Sequence, residues 1–483
     1  MSNLNIILLY FIIFSLIPIL LLYKRSQNLI YNYIITFPIM LLLISLPSLL
    51  DLNHKINKIT YYILIISILC IFVFISIKNK FIFMRQLLNL TIFNALIILF
   101  FYSYHSLSIK YNQFTPDTYV YEFIARSMYS EYGLQHLSEG LLLQRGLILP
   151  VLWTFFSPAF KPIYLPLYLI ILLFITYVYF SSIYFYKTKI LINKFFGYFL
   201  ASTSFLIFLF SLQGFYLMFY VTTHTIIAIC VIIYFGLINQ IVNKKMKITK
   251  LHIFTLFSCI YIFSFIRPEG IFLSFFAIVY MIIKLDLNKK VTLLFINSYL
   301  ILSLFWFFSI SYLFNGKLSY YLFLTFFILL FILNFFLFFL FEYIKLYLKN
   351  IQVILILFLI TVSLIYSHNL IFSSLHTCFR SIFLNEGGLG LVPYLVIFLP
   401  IFFKFSKKYK NNSLILVSVC GIFLTYSIYP ILNQNAWFCD SSGWGGSLPR
   451  AWIHFVPLFG IGVVEAYFSS YRDKKSNSNK LIS

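Results

Sequence analysis

The chain has 483 residues, 62% hydrophobic and 10% charged, a balance that excludes a soluble globular protein because its surface could not be solvated. Its formal net charge of +23 does not point to nucleic acid, since most basic residues fall in short loops between apolar segments. Apolar runs near 20 residues long recur, each enough to span about 30 Å of hydrocarbon as a helix, and no alternating β-barrel pattern accompanies them.

The sequence therefore predicts an all-α polytopic membrane protein with about 13–15 transmembrane helices. The first 23 residues are apolar, with no basic stretch before them and no small-residue cleavage site, so they read as a retained helix. The expected spans are 5–23, 29–50, 60–77, 87–104, 163–186, 195–213, 216–238, 252–266, 270–284, 291–313, 320–343, 350–368, 389–403, 413–431 and 451–468. They form one multi-helix domain over 1–468, comprising N-terminal helices (1–86), a middle part (87–290) and C-terminal helices (291–468). Residues 469–483 read as a polar, basic, disordered cytoplasmic tail.

Alternating the spans from an outside N-terminus places 22 of 27 lysines inside. The arginines do the reverse. Arg126, Arg145, Arg267, Arg380 and Arg450 fall outside, and Arg25, Arg85 and Arg472 inside. Outer arginines against that bias suit a bidentate clamp on phosphate or carboxylate; anchoring to lipid head groups is the simpler reading. The parity requires that 146–157 does not cross. Ser157-Pro158 and Pro162 follow it, so it reads as a re-entrant or interfacial segment.

Three outer loops carry most of the polar chemistry: 105–145, 369–388 and 432–450. In the first, Thr115 can cap a helix that has Pro116 at its first position and Asp117 in its first turn. Val120, Phe123, Ile124 and Met128 would share one face of an amphipathic, membrane-surface helix. Asp117 and Tyr121, one turn apart, can face a common cleft, with Glu122, Arg126, Glu131, His136, Glu139 and Arg145 nearby in sequence. A carboxylate at the membrane–water boundary suits a general base acting on a hydroxyl acceptor; a plain helix cap is the alternative.

Further on, Arg267-Pro268-Glu269-Gly270 breaks a long apolar stretch into two short helices and falls on the same outer face. Charge beside membrane-depth segments is expensive and marks function, unless Arg267 and Glu269 merely pair with each other or with lipid. Loop 369–388 offers His376, Cys378, Arg380 and Glu386. Loop 432–450 offers Trp437, Cys439, Asp440, Trp444 and Arg450 among glycines. Tryptophan with a carboxylate suits a sugar face and its hydroxyls, and an interfacial aromatic belt fits equally. Cys378 and Cys439 are open to a disulfide or to free thiols, and no standard metal-ligand spacing occurs.

Pro116-Asp117-Thr118-Tyr119 with Tyr121 and Ala125 resembles the first extracytoplasmic loop of GT-C-type integral-membrane glycosyltransferases. Gln144-Arg145-Gly146-Leu147-Ile148-Leu149-Pro150 resembles the stretch leading into that family's next helix, and Arg267-Pro268-Glu269-Gly270 a turn of its bacterial members. The resemblance covers about residues 87–290. Four spans precede the Asp117 loop where the familiar pattern has one, and the paired Asp-Glu of some subfamilies is absent at 117–118. No acidic metal motif marks the later outer loops, unlike the metal-dependent oligosaccharyltransferase branch.

The resemblance implies a plasma-membrane transferase that moves a sugar from a polyprenyl-phosphate carrier to a hydroxyl of a surface glycan or lipid, on the extracytoplasmic face. It implies Asp117 as base and Glu269 as its catalytic companion. Arg126, Arg145, Arg267 and Arg450 would hold the donor phosphate, and Tyr121, Glu122, Trp437, Asp440 and Trp444 the substrate. No cofactor, metal or nucleic acid is expected. An O-antigen or polysaccharide polymerase or ligase, or a lipid-linked oligosaccharide flippase, is the alternative. A flippase should carry charge along its spans, whereas here His224 and His454 are the exceptions and Glu342 and Glu465 sit near span ends.

Overall fold

The computed structural model describes residues 29–50, 116–127, 137, 146–156, 165–185, 191–211, 222–244, 246–266, 270–285, 287–301, 394, 414–422 and 452–480. Among the described residues every regular element is helical and none is a strand. In chain order they are α1 (Leu29–Leu50), α2 (Pro116–Ser127), α3 (Ile148–Phe156), α4 (Leu165–Phe185), α5 (Leu191–Leu209), α6 (Thr223–Lys244), α7 (Lys250–Ile266), α8 (Gly270–Lys284) and α9 (Val456–Lys480). Helical runs also cover 289–301 and 414–422, and a 3-10 turn, Trp452–His454, leads into α9.

Segments this rich in Ile and Phe would not be strong helix formers in water. In hydrocarbon the backbone must satisfy its own polar groups, and a helix does that within one segment. Hydroxyls inside the bundle are handled in the same way. Thr176 donates to the Leu172 carbonyl (2.7 Å), Ser258 to Phe254 (2.8 Å) and Ser418 to Leu414 (2.6 Å). Helix starts are capped locally. Thr249 Oγ1 accepts from the His252 N–H and His252 Nδ1 from the Thr249 N–H, both at 3.3 Å, a reciprocal cap on α7. Asn288 Oδ1 accepts from the Val291 N–H at 2.9 Å at the start of 289–301.

Helices α4, α5 and α6 are long and apolar enough to cross a membrane, and α1, α7, α8 and α9 contain shorter apolar stretches. Length and composition thus mark a helical membrane protein. Helix α6 is its axis: Thr222 through Ile241 are all buried, and α1, α4, α7, α8 and α9 pack around it. Helix α5 lies at the edge against α4 and α9. It buries Ala201, Phe205 and Phe208 and exposes Ile192, Phe195, Phe199 and Leu206, as a helix facing an apolar solvent should.

Side-chain pairs fix the helix directions. Tyr184 meets Asn239 and Phe180 lies over Gly236, so α4 and α6 run parallel. His224 meets His454 and Asn239 meets Glu465, so α9 runs parallel to both. Tyr177–Ser204 and Phe185–Tyr198 make α5 antiparallel to α4. Tyr31–His252 and Ser45–Tyr261 make α1 parallel to α7, while Ser264–Ser274 folds α8 back along α7. One end of the bundle therefore gathers the start of α5, the end of α6, the start of α7 and the end of α8. That end carries Lys194, Lys244, Lys247, Lys250 and Lys284.

Two expectations change. Helix α9 continues to Lys480, where the sequence predicts a disordered tail. Residues 469–480 contain no Pro or Gly to stop the helix. On α2 the buried residues are Thr118, Tyr121, Ile124, Ala125 and Ser127, while Phe123, expected on the apolar face, is 51% exposed. The reason is the partner: α2 lies on another helix, α3, rather than on lipid alone.

Candidate functional site

The end opposite the lysines is built around α3. Nine residues of helix reach about 13 Å, well short of the 30 Å of a bilayer core. All of Gly146 to Trp153 is buried, and α3 packs against α1, α2 and α7. Its approach is tight. Gly146 holds a left-handed φ of 66°, and a Cβ there would stand 2.6 Å from the Ile266 carbonyl oxygen at the last turn of α7. Leu147 then accepts the Val151 N–H at 2.9 Å to start the helix. Proline at position 150 falls in the first turn, where its missing N–H costs nothing.

Helix α2 begins at Pro116, as the Thr-Pro-Asp signal predicts, and docks on α3. Asp117 is its second residue. Tyr121 is 2% exposed, so its ring belongs to the α2 packing face. Arg126 donates from Nε (3.0 Å) and Nη2 (2.6 Å) to the same Glu122 oxygen, Oε1, one helical turn back. The guanidinium side chain is 78% exposed and Glu122 18%, so Glu122 aims an arginine that otherwise stands in solvent. Tyr119 and Phe123 are also exposed on α2.

The last turn of α7 and the first of α8 bracket the Arg-Pro-Glu motif. Gly270 opens α8 so close to Phe263 that a Cβ would overlap the Phe263 carbonyl oxygen. Ser274 ties the hairpin, bonding Ser264 (2.9 Å) and the Ile260 carbonyl (3.1 Å). Arg267, Glu269, Arg145, Arg450, Trp437, Asp440 and Trp444 lie outside the described residues, as do Cys378 and Cys439. Their neighbours are described, however. Gly146, next to Arg145 in sequence, touches Ile266, next to Arg267.

Two polar clusters were not assembled by sequence reasoning. His224 Nδ1 and His454 Nε2 lie 2.8 Å apart with stacked rings, both buried, at the start of α6. The two had stood out singly as ionisable residues within spans; only their separation of 230 positions hid the pair. At the lysine end, Glu465 is buried and its Oε1 accepts from Asn239 and Asn243, both at 3.0 Å. Asn239 also donates to the Tyr184 hydroxyl at 2.6 Å. The i, i+4 spacing of the two asparagines was the available signal. The two histidines spend one nitrogen each on the other, and among the described residues no group of three His, Cys, Asp or Glu could hold a metal ion. No protein-family model, curated protein sequence or solved structure matches this chain.

Proposed function

We propose that the protein is a membrane glycosyltransferase of the GT-C kind, moving a sugar from a polyprenyl-phosphate carrier to a hydroxyl acceptor at the bundle end opposite the lysines. The observation that carries the reading is the stacking of α2 on α3 together with the seat of Gly146 on the last turn of α7. It brings the helix that bears Asp117, the start of the Arg145 segment and the border of the Arg267–Glu269 turn to one end of the bundle. These are the three stretches on which the family resemblance rests.

In this reading that end faces the extracytoplasmic side, because lysine-rich ends face the cytoplasm. Asp117 takes the proton from the acceptor hydroxyl, and Glu269 orients the sugar or Arg267. Arg126, Arg145, Arg267 and Arg450 hold the carrier phosphate and stabilise the charge that develops as it leaves. Tyr121 is packed inside α2–α3, so its part is to hold the helix, while Glu122 acts through Arg126. Trp437, Asp440 and Trp444 contact sugar. The donor is already activated, so no nucleotide site is required.

The flippase alternative gains one observation, the buried carboxylate of Glu465. It stands at the lysine end with two asparagines, and among the described residues no chain of charged groups leads from it towards α2. The discriminating experiment is transfer from labelled polyprenyl-phosphate sugars in proteoliposomes by the wild type and by Asp117→Asn. Transfer lost in a normally folded variant supports the reading; transfer that survives removes Asp117 as the base. An absence of transfer from every monosaccharide carrier favours the polymerase or flippase.

A further inference from the structure

Both ring nitrogens of His252 are engaged, and their partners fix its protonation state. The Thr249 backbone N–H meets Nδ1 at 3.3 Å, and a backbone N–H can only donate. Nδ1 is therefore the bare nitrogen of a neutral imidazole. The single ring hydrogen is then on Nε2, which lies 3.0 Å from the Tyr31 hydroxyl and donates to its oxygen. One neutral tautomer thus serves two helices. It completes the reciprocal cap on α7 and ties that cap to α1.

Around this end of α7 the charged and titratable groups are Tyr31 on α1, Lys247 and Lys250 in the turn itself, Lys284 on α8, and Lys289 and Lys290 on the run 289–301, which meets α7 through Phe295 and Phe257. The described side chains at the end of α6 add none, and among the described residues of these elements there is no carboxylate. The ring is buried yet close to water, since Lys250, two residues away, is exposed and Thr249 half-buried. A proton on Nδ1 changes the arrangement by one atom. An imidazolium has two donors and no acceptor, so its new N–H would face the Thr249 N–H. Either the ring turns away, which breaks its bond to Tyr31, or the turn at Thr249 opens. Both loosen one joint, that between α1 and α7. The same two helices hold α3 at their other end.

We infer that His252 is an acid-sensitive latch, closed by a neutral ring that joins the Thr249 cap to Tyr31 and opened by one proton on Nδ1. The latch does not depend on sugar transfer, since a polymerase or flippase built on this bundle would carry the same joint. Its direction follows from the bonding. The unfolded chain takes up the proton freely, whereas the folded chain does so only by giving up the cap. The latch therefore stabilises the fold above the ordinary imidazole range, and that stabilisation is lost as the pH falls through it.

The test uses the full chain in detergent micelles, with thermal unfolding of the wild type and of His252→Asn at about pH 8 and about pH 5.5, either side of the ordinary imidazole range. Asparagine brings a carbonyl oxygen near the place of Nδ1, so it can accept from Thr249 at both pH values without titrating. The other titratable groups, His224, His454 and Glu465 among them, are common to both proteins and cancel from the difference. On acidification the melting temperature of the wild type should fall by about 1–3 °C more than that of the variant. Equal falls overturn the latch. Hydrogen exchange of the wild type gives a second reading that does not depend on how the variant folds. After correction for the pH dependence of the intrinsic exchange rate, residues 249–254 should lose protection at the lower pH relative to the middle of α6. Unchanged relative protection also overturns the latch, whatever a sugar-transfer assay returns.

Discussion

Gly146 lies against Ile266, so that a side chain on Gly146 would meet the Ile266 carbonyl oxygen at 2.6 Å. The glycine is needed twice, for this approach and for its φ of 66°. Gly146→Ala should therefore destabilise the protein by about 1–3 kcal/mol, seen as a lower melting temperature in detergent. Transfer activity should fall with it, because α2 is held on α3 beyond this point. A variant that melts with the wild type would show that α3 does not sit on α7 in this way.

The Arg126–Glu122 pair is exposed on its arginine side, and exposed i, i+4 pairs contribute only about 0.3–0.5 kcal/mol. Glu122→Gln should barely move the melting temperature. Its effect should appear in sugar transfer instead, as a raised KM for the lipid donor. Arg126→Lys should do the same, because an ammonium lacks the rigid planar fork with which the guanidinium holds Glu122 through Nε and Nη2 and keeps its other nitrogen for a phosphate. A large stability loss in either variant would contradict the exposed geometry.

At the other end, Glu465 offers one oxygen to two asparagines. Glu465→Gln keeps that oxygen, so it should be tolerated or stabilising. Glu465→Leu leaves the buried Asn239 amide without this acceptor and should cost about 1–3 kcal/mol. Thermal unfolding of the two variants side by side gives the comparison, and equal melting temperatures would refute the buried arrangement.

The lysines of α5, α6, α7 and α8 gather at one end, and α2 belongs to the other. In a background without native cysteines, Lys247→Cys should react with a membrane-impermeant thiol reagent only from the cytoplasm. Tyr119→Cys, on the exposed face of α2, should react only from outside. Labelling of both from one side would overturn the end assignment.

Apolar length located the helices well where the whole segment is apolar. Residues 29–50 and 270–284 are helical as expected, and 163–186 differs from α4 by a residue or two. It set the boundaries of α6 too early: the span expected at 216–238 is the helix Thr223–Lys244. Asn239, Gln240 and Asn243 read as the beginning of a loop. They are helical because Glu465 and Tyr184 satisfy the asparagines, and a partner 226 positions away has no local signature. The face of α2 was misjudged for a related reason: Thr118 and Tyr121 count as polar by type, yet they are what α3 buries. Of the candidate site, the start of α2 at Pro116 was legible from Thr-Pro-Asp, since its cause lies within one turn.

The same long separation has a consequence for biosynthesis. When α6 leaves the ribosome its Asn239 and Asn243 enter the membrane without their acceptor, since Glu465 is still to be made. At about 5–20 residues per second the wait is roughly 10–45 s. Through that interval α6 must be retained by its apolar residues and by Tyr184, which is already in place. Chains truncated before α9 should then be handed to membrane quality control, with unsatisfied amides as the degradation signal.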